Sequence, residues 1–365
     1  MEQAIERWLA QVLIGDRPRP PDAVDAQALV AAALDHGVLG LIHQRLREPA
    51  GRSGPMPADL LERIAGAELA SVRQSLFLEA ETRRILAALD QAGCQSLLLK
   101  GSALAWWLYA APGLRACNDI DLLVAPAQRQ AAIKALAGLG YRPQGLPAAG
   151  DLCGFEVTLT PQDPQRPRLE VDLHWALSNA PLFAFRFDFE TLYAARQRLS
   201  GLGPGAYGLG PVHAFLHAAM HRVHGFTLPG AERLKWLYDL HLLGLGFTPA
   251  DWRQLCALAC EHGLAGCCHH GLKTAEGHFG PVAPEEVLAA LGHAAAAEPL
   301  EPGRMRHRGY VEWMNFRALP GAGQKLRWLG QRLWPGAEYR EARYGKGFGR
   351  ALLGRLRAFV RRLGG

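Results

Sequence analysis

The segment Asn118-Asp119-Ile120-Asp121-Leu122-Leu123-Val124 constrains this chain more than any other. Side chains alternate faces along a strand, so Ile120, Leu122 and Val124 turn to a core while Asp119 and Asp121 share the opposite face, one pleat apart. Two carboxylates that close repel, and one pKa rises unless a cation sits between them. Mg²⁺ suits such a pair because it takes a few carboxylates together with water and substrate phosphate oxygens. The plain alternative is a solvated strand face ended by turn-forming Asp residues.

Two further segments bear on that choice. Gln95 to Leu99 is a short apolar run stopped by Lys100-Gly101-Ser102, and a helical stretch follows from Ala103 to Tyr109. Glycine lets backbone approach a ligand closely, and free N–H groups at a helix start suit a phosphate. Ser102 is placed to cap that helix or to donate to a phosphate. This is not a P-loop, because the Gly-x-x-x-x-Gly-Lys-Ser/Thr pattern is absent. Further on, a strand from Arg168 to His174 turns Leu169, Val171 and Leu173 to one side and Glu170, Asp172 and His174 to the other. If it lies near the Asp119 strand, Asp172 completes a three-carboxylate site. Such a site can hold metal ions for phosphoryl transfer or draw a proton from a hydroxyl. A polar outer face on an edge strand is the competing reading.

The texture along the chain divides it into four parts. Residues 1–92 carry helical periodicity, with Leu60, Leu61, Ile64, Leu69, Val72, Leu76 and Leu78 continuing into Ile85, Leu86 and Leu89. Residues 93–200 alternate short strands and helices across tight turns. Residues 201–303 are helical again, and residues 304–365 form a basic helical tail ending in an amphipathic segment, Gly349 to Leu363. The net charge is +6, yet residues 304–365 alone hold 15 Lys and Arg against three acids. That asymmetry points to an anionic partner, whether a membrane surface, nucleic acid or an acidic ligand, or else to an Arg-rich packing helix. No apolar stretch is long enough for a transmembrane helix. Met1 to Gly15 reads as an amphipathic helix rather than a signal peptide, and the seven cysteines are scattered. The expectation is a cytoplasmic protein with reduced thiols.

His213, His217, His221 and His224 fall on one side of a helix, but no Glu follows the first to make His-Glu-x-x-His. They read as residues bordering a cleft. Cys256, Cys260, His262, Cys267, Cys268, His269 and His270 invite a zinc reading, but no Cys-x-x-Cys pair is present and Cys256 and Cys260 sit among apolar residues. Asp239, on a Trp-containing helix, reads as an anchor for a neighbouring His or Arg.

Taken in order, these features resemble the nucleotidyltransferase superfamily that shares a DNA polymerase beta-like palm, and more closely the bacterial uncharacterised nucleotidyltransferase family. The residues that carry the likeness are Lys100-Gly101, Arg115, Asp119 to Val124, Val171 to Trp175, His217, His221, Arg233 to Leu240, Pro335 and Arg343-Tyr344-Gly345. One departure from the superfamily pattern is the longer connection, Ala103 to Asn118, between Gly-Ser and the first Asp. The resemblance implies an α+β fold in which a polymerase beta-like palm, a small mixed sheet with helices, lies between an N-terminal helical region and a larger C-terminal one. It implies Mg²⁺- or Mn²⁺-dependent transfer of a nucleoside monophosphate from an NTP to an unidentified hydroxyl or phosphate acceptor, such as a peptide natural product or a saccharide, with pyrophosphate release. By position, Asp119, Asp121 and Asp172 would be the metal-binding and catalytic carboxylates, Asp172 serving as third ligand or as base. Lys100, Gly101, Ser102 and Arg115 would bind the nucleotide, and His174, His217 and His221 would line the substrate pocket. The alternative is a catalytically inactive nucleotide-binding or scaffold protein of a modification complex.

Overall fold

The computed structural model describes residues 1–16, 18–21, 24–48, 56–167, 169–227 and 232–345. The amphipathic segment expected over residues 349–363 lies outside them. Three short helices open the chain: α1 (Glu2–Leu13), α2 (Ala26–Asp35) and α3 (Leu39–Arg47). The long α4 (Ala58–Gln91) follows and leads into β1 (Ser96–Leu98), α5 (Lys100–Leu104), β2 (Asp119–Val124), α6 (Arg129–Gly138), β3 (Tyr141–Pro143), β4 (Glu156–Pro161) and β5 (Glu170–His174). After α7 (Pro181–Ala184) and α8 (Phe189–Ala194) come two very short strands, β6 (Gln197–Arg198) and β7 (Tyr207–Gly208). The rest is helical: α9 (Pro211–Gly225), α10 (Leu234–Leu245), α11 (Pro249–Glu261), α12 (Ala265–Phe279), α13 (Glu285–Ala297), α14 (Arg308–Ala318), α15 (Gly321–Leu333) and α16 (Ala337–Tyr344). Among the described residues no helix is long and apolar enough to cross a membrane.

The strands form one mixed sheet in the order β3-β4-β5-β2-β1-β7-β6. Together with the helices on either side, it makes the fold α+β, as the sequence led one to expect. Both faces of the sheet are covered. Leu98, Ile120, Leu122, Val124, Val171 and Leu173 pack with Ile85 and Leu89 of α4 and with Ala132 and Leu136 of α6. Leu97, Leu99 and Leu123 face the other way and join the large helical core built by α9, α10 and α12. Fully burying each such Leu or Ile contributes about 1.5–3 kcal/mol, which is why the alternation specifies the strand register so strongly. The edge strand β3 is tied down separately: Tyr141 Oη donates to Glu81 Oε2 of α4 at 2.8 Å.

The long helix α4 serves two cores. Leu60 and Ile64 pack with α1–α3 in the helical core, and Leu78, Ile85, Leu86 and Leu89 pack under the sheet. Between them Leu69, Val72 and Leu76 are exposed, so the periodic apolar stripe of this helix is not buried along its whole length. α1–α3 share their core with α10 and α12. The start of α10 is docked on the turn after α2, where Leu234 N donates to His36 Nδ1 at 3.3 Å and Lys235 N to His36 O at 3.2 Å.

Candidate active site

The site is built where β1 hands over to α5 alongside β2. Among the described residues Lys100 is the one non-glycine with a positive φ, +50°. Such backbone persists only where its surroundings over-determine it. Here the restraints are visible. Leu99 N donates to Asp121 O at 3.0 Å. Ser102 Oγ donates to Leu99 O at 2.7 Å and accepts from Asp121 N at 3.3 Å. Lys100 Nζ donates to Asp121 Oδ1 at 2.6 Å. The Ser102 hydroxyl therefore stitches α5 to β2. It lies within α5 rather than at its cap, because that helix starts at Lys100. Gly101 is required by close approach: a Cβ there would fall 2.7 Å from Cys117 Sγ and 3.1 Å from Arg115 Nη1.

The acids meet as the alternation requires. β2 and β5 run parallel in a register that sets Asp121 beside Asp172 and Asp119 beside Glu170. An oxygen of Asp121, an oxygen of Asp172 and a ring nitrogen of His174 lie within 4.8 Å of one another. Thr158 of β4 donates to Asp172 Oδ1 at 2.6 Å. His174 Nε2 lies 3.1 Å from Asp121 Oδ1, and its Nδ1 lies 3.1 Å from Glu156 Oε2. Burial opposes charge on this imidazole, but its bonds to Asp121 and Glu156 raise its pKa to about 9, so it is an imidazolium at neutral pH. Burial would also raise Asp121, yet Lys100 and His174 hold that carboxyl well below the usual range. Asp119 behaves oppositely. Burial, and then the charge of Asp121, push it up to about 6. Asp172 is raised too, by burial and despite the Thr158 hydrogen bond. The site thus holds one carboxylate already neutralised by two cations and two that are short of positive charge.

A cavity of about 270 Å³ opens beside Asp119 and Asp121, with Lys100, Gly101, Lys235 and Trp236 in its wall. Arg115 also borders it but is committed: Nε donates to Asp239 Oδ1 at 2.8 Å and Nη2 to Oδ2 at 2.6 Å. Tyr109 Oη adds a third donor to Asp239 Oδ1 at 2.7 Å. Asp239 does anchor an arginine, as its place on a Trp-containing helix suggested. His217 and His221 line the cavity from α9. Burial pushes the His217 pKa down to about 3, and its Nε2–H donates to Leu177 O at 3.1 Å. The neutral His221 ring meets Trp236 edge to face at 5.3 Å.

The structure therefore brings Lys100, Gly101, Arg115, Asp119, Asp121, His217 and His221 to one cavity. Ser102 sits behind it, and Asp172 and His174 belong to the adjoining acid cluster. The cysteines and histidines of residues 256–270 form no group of three ligands within reach of one ion among the described residues. Cys267 and Cys268 are core residues, and burial pushes the Cys267 thiol up to about 12. Sequence reasoning assigned no role to Lys235, Glu156 or Thr158. Glu156 and Thr158 alternate on β4 in phase with Asp172 and His174 of β5, a signal that becomes readable only once the pairing of those strands is known.

The model of one protein family, described as uncharacterised nucleotidyltransferase, matches residues 22–280. No curated protein matches the chain.

Proposed function

Since the chain belongs to the uncharacterised nucleotidyltransferase family and is a nucleotidyltransferase, we propose that it moves a nucleoside monophosphate from an NTP to a hydroxyl or phosphate acceptor. The observation that carries this reading is the parallel pairing that sets Asp121 beside Asp172, with Asp119 one pleat away, next to a cavity walled by lysines.

The donor set fits a hard divalent cation. Asp121 and Asp172 bring carboxylate oxygens within 4.8 Å of one another and of a His174 ring nitrogen, and Asp119 and Asp172 are raised by burial in a way that a cation would relieve. Asp119, Asp121 and Asp172 would hold Mg²⁺ or Mn²⁺, which when bound supplies charge stabilisation to a transferring phosphoryl group. The residues of this chain do the rest. Gly101 leaves room for Cys117 and Arg115 to pack against the start of α5. Lys100 holds Asp121 ionised, and Arg115 fixes the segment leading into β2 through Asp239. The acceptor oxygen forms a bond to the α-phosphorus while the bond to the bridging oxygen of pyrophosphate breaks. The acceptor proton passes to the Asp172 carboxylate, which burial makes more basic than an ordinary aspartate.

The experiment is pyrophosphate release measured with each of the four NTPs and Mg²⁺ or Mn²⁺ against hydroxyl- and phosphate-bearing acceptors. Saturable NTP binding and release that is lost in Asp119→Asn are expected. A wild-type chain that binds no NTP with either metal refutes the reading.

A further inference from the structure

We infer that Lys235, carried by α10 in the helical half of the molecule, is the residue that receives the triphosphate charge of the nucleotide. The inference rests on the nucleotidyl-transfer reading and says where the phosphates are held.

Lys100, Arg115, Arg233 and Lys235 are the cations that border the cavity among the described residues. Lys100 is bound to Asp121 at 2.6 Å, and Arg115 is locked in two contacts to Asp239. Arg233 also borders the cavity, 3.6 Å from Asp35, with a side chain 36% exposed. Lys235 differs from all three. Its ammonium reaches one acceptor, Ala116 O, at 3.4 Å, and has no carboxylate partner among the described residues. Asp239, nearby, is already shared by Arg115 and Tyr109. Burial and the neighbouring Arg115 both disfavour charge on Lys235. A half-buried ammonium without an anion is costly, and positive charge placed in a cavity is where a polyanion gains most.

Lys235 is also held in place. A Cβ on Gly37 would fall 2.4 Å from Lys235 Cδ, so the lysine stem lies against the bare backbone of the turn after α2. The amide of Lys235 donates to His36 O in that same turn. The side chain is thus held along its stem and at its backbone amide, and it lines the same cavity as Asp119. Trp236 follows it in the wall and offers an apolar face next to the phosphate position.

Titration calorimetry of the full chain with Mg·ATP, magnesium tripolyphosphate and adenosine tests this. Lys235→Met is expected to weaken both polyphosphate ligands at least ten-fold and to leave adenosine within two-fold. Lys235→Arg is expected to recover most of the loss. Melting of Lys235→Met should be no lower than wild type, because a buried charge has been removed, and Lys235→Gln carries the same comparison if the Met variant does not fold. Unchanged tripolyphosphate affinity in Lys235→Met or Lys235→Gln overturns the inference and leaves nucleotidyl transfer standing. A wild-type chain that binds tripolyphosphate but neither ATP nor any other NTP refutes nucleotidyl transfer instead.

Discussion

Arg115 and Asp239 lie 124 positions apart in the chain and form a two-pronged ion pair, both side chains almost completely removed from water. The pair joins the segment leading into β2 to the helix that carries Lys235. It therefore couples the sheet to the helical half.

Breaking that pair from one side leaves a buried charge unmatched. Asp239→Asn is expected to lose about 3–5 kcal/mol of stability, read as a lower denaturant midpoint. Arg115→Lys should lose much of the same, since a single ammonium cannot reproduce the planar fork. Wild-type midpoints in both variants contradict this account of the pair.

The acid cluster predicts its own response to metal. Mg²⁺ or Mn²⁺ should raise the wild-type melting temperature in proportion to occupancy. Asp119→Asn removes a carboxylate that burial and Asp121 raise to about 6. It should melt at or above wild type without metal and lose most of the metal-induced shift. A full shift in that variant shows that the ion sits elsewhere.

Acid stability follows from His217. Its folded pKa is depressed to about 3 by burial. Above the unfolded value of about 6.5 neither state carries the proton and the group is silent. As pH falls from there towards 3, the unfolded chain takes up a proton that the folded chain refuses, so stability declines. His217→Gln keeps a donor for Leu177 O and removes this titration. Its unfolding free energy should fall less steeply than wild type between pH 6.5 and 4, and parallel curves would contradict the prediction.

Gly101 tests the tightness of the wall. Gly101→Ala drives a methyl to 2.7 Å from Cys117 Sγ, and overpacking of this kind costs about 1–3 kcal/mol. Cys117→Ala in the same chain should return part of that loss, a coupling that a double-mutant cycle reads directly. Strict additivity would place the strain outside this contact.

What could be read from residue order was whatever repeats within one element. The alternation in Asp119 to Val124 and in Glu170 to His174 set which side chains join the core under the sheet, and Ile120, Leu122, Val124, Val171 and Leu173 do so, although β2 is buried on both faces from Ile120 to Val124. The ordered set of motifs also pointed to the family. The very short strands β3, β6 and β7 were beyond it, because two or three residues carry no period. Contacts across long separations were beyond it for a different reason. Nothing near Lys235 in the chain says that Lys100 and Arg115 are neutralised by Asp121 and Asp239 while Lys235 is not. Charge balance at a site depends on distance and burial, and these come into existence only when the helices close over the sheet. Sequence determined the acidic strand and its neighbours; tertiary packing decided which cations were left to meet a ligand.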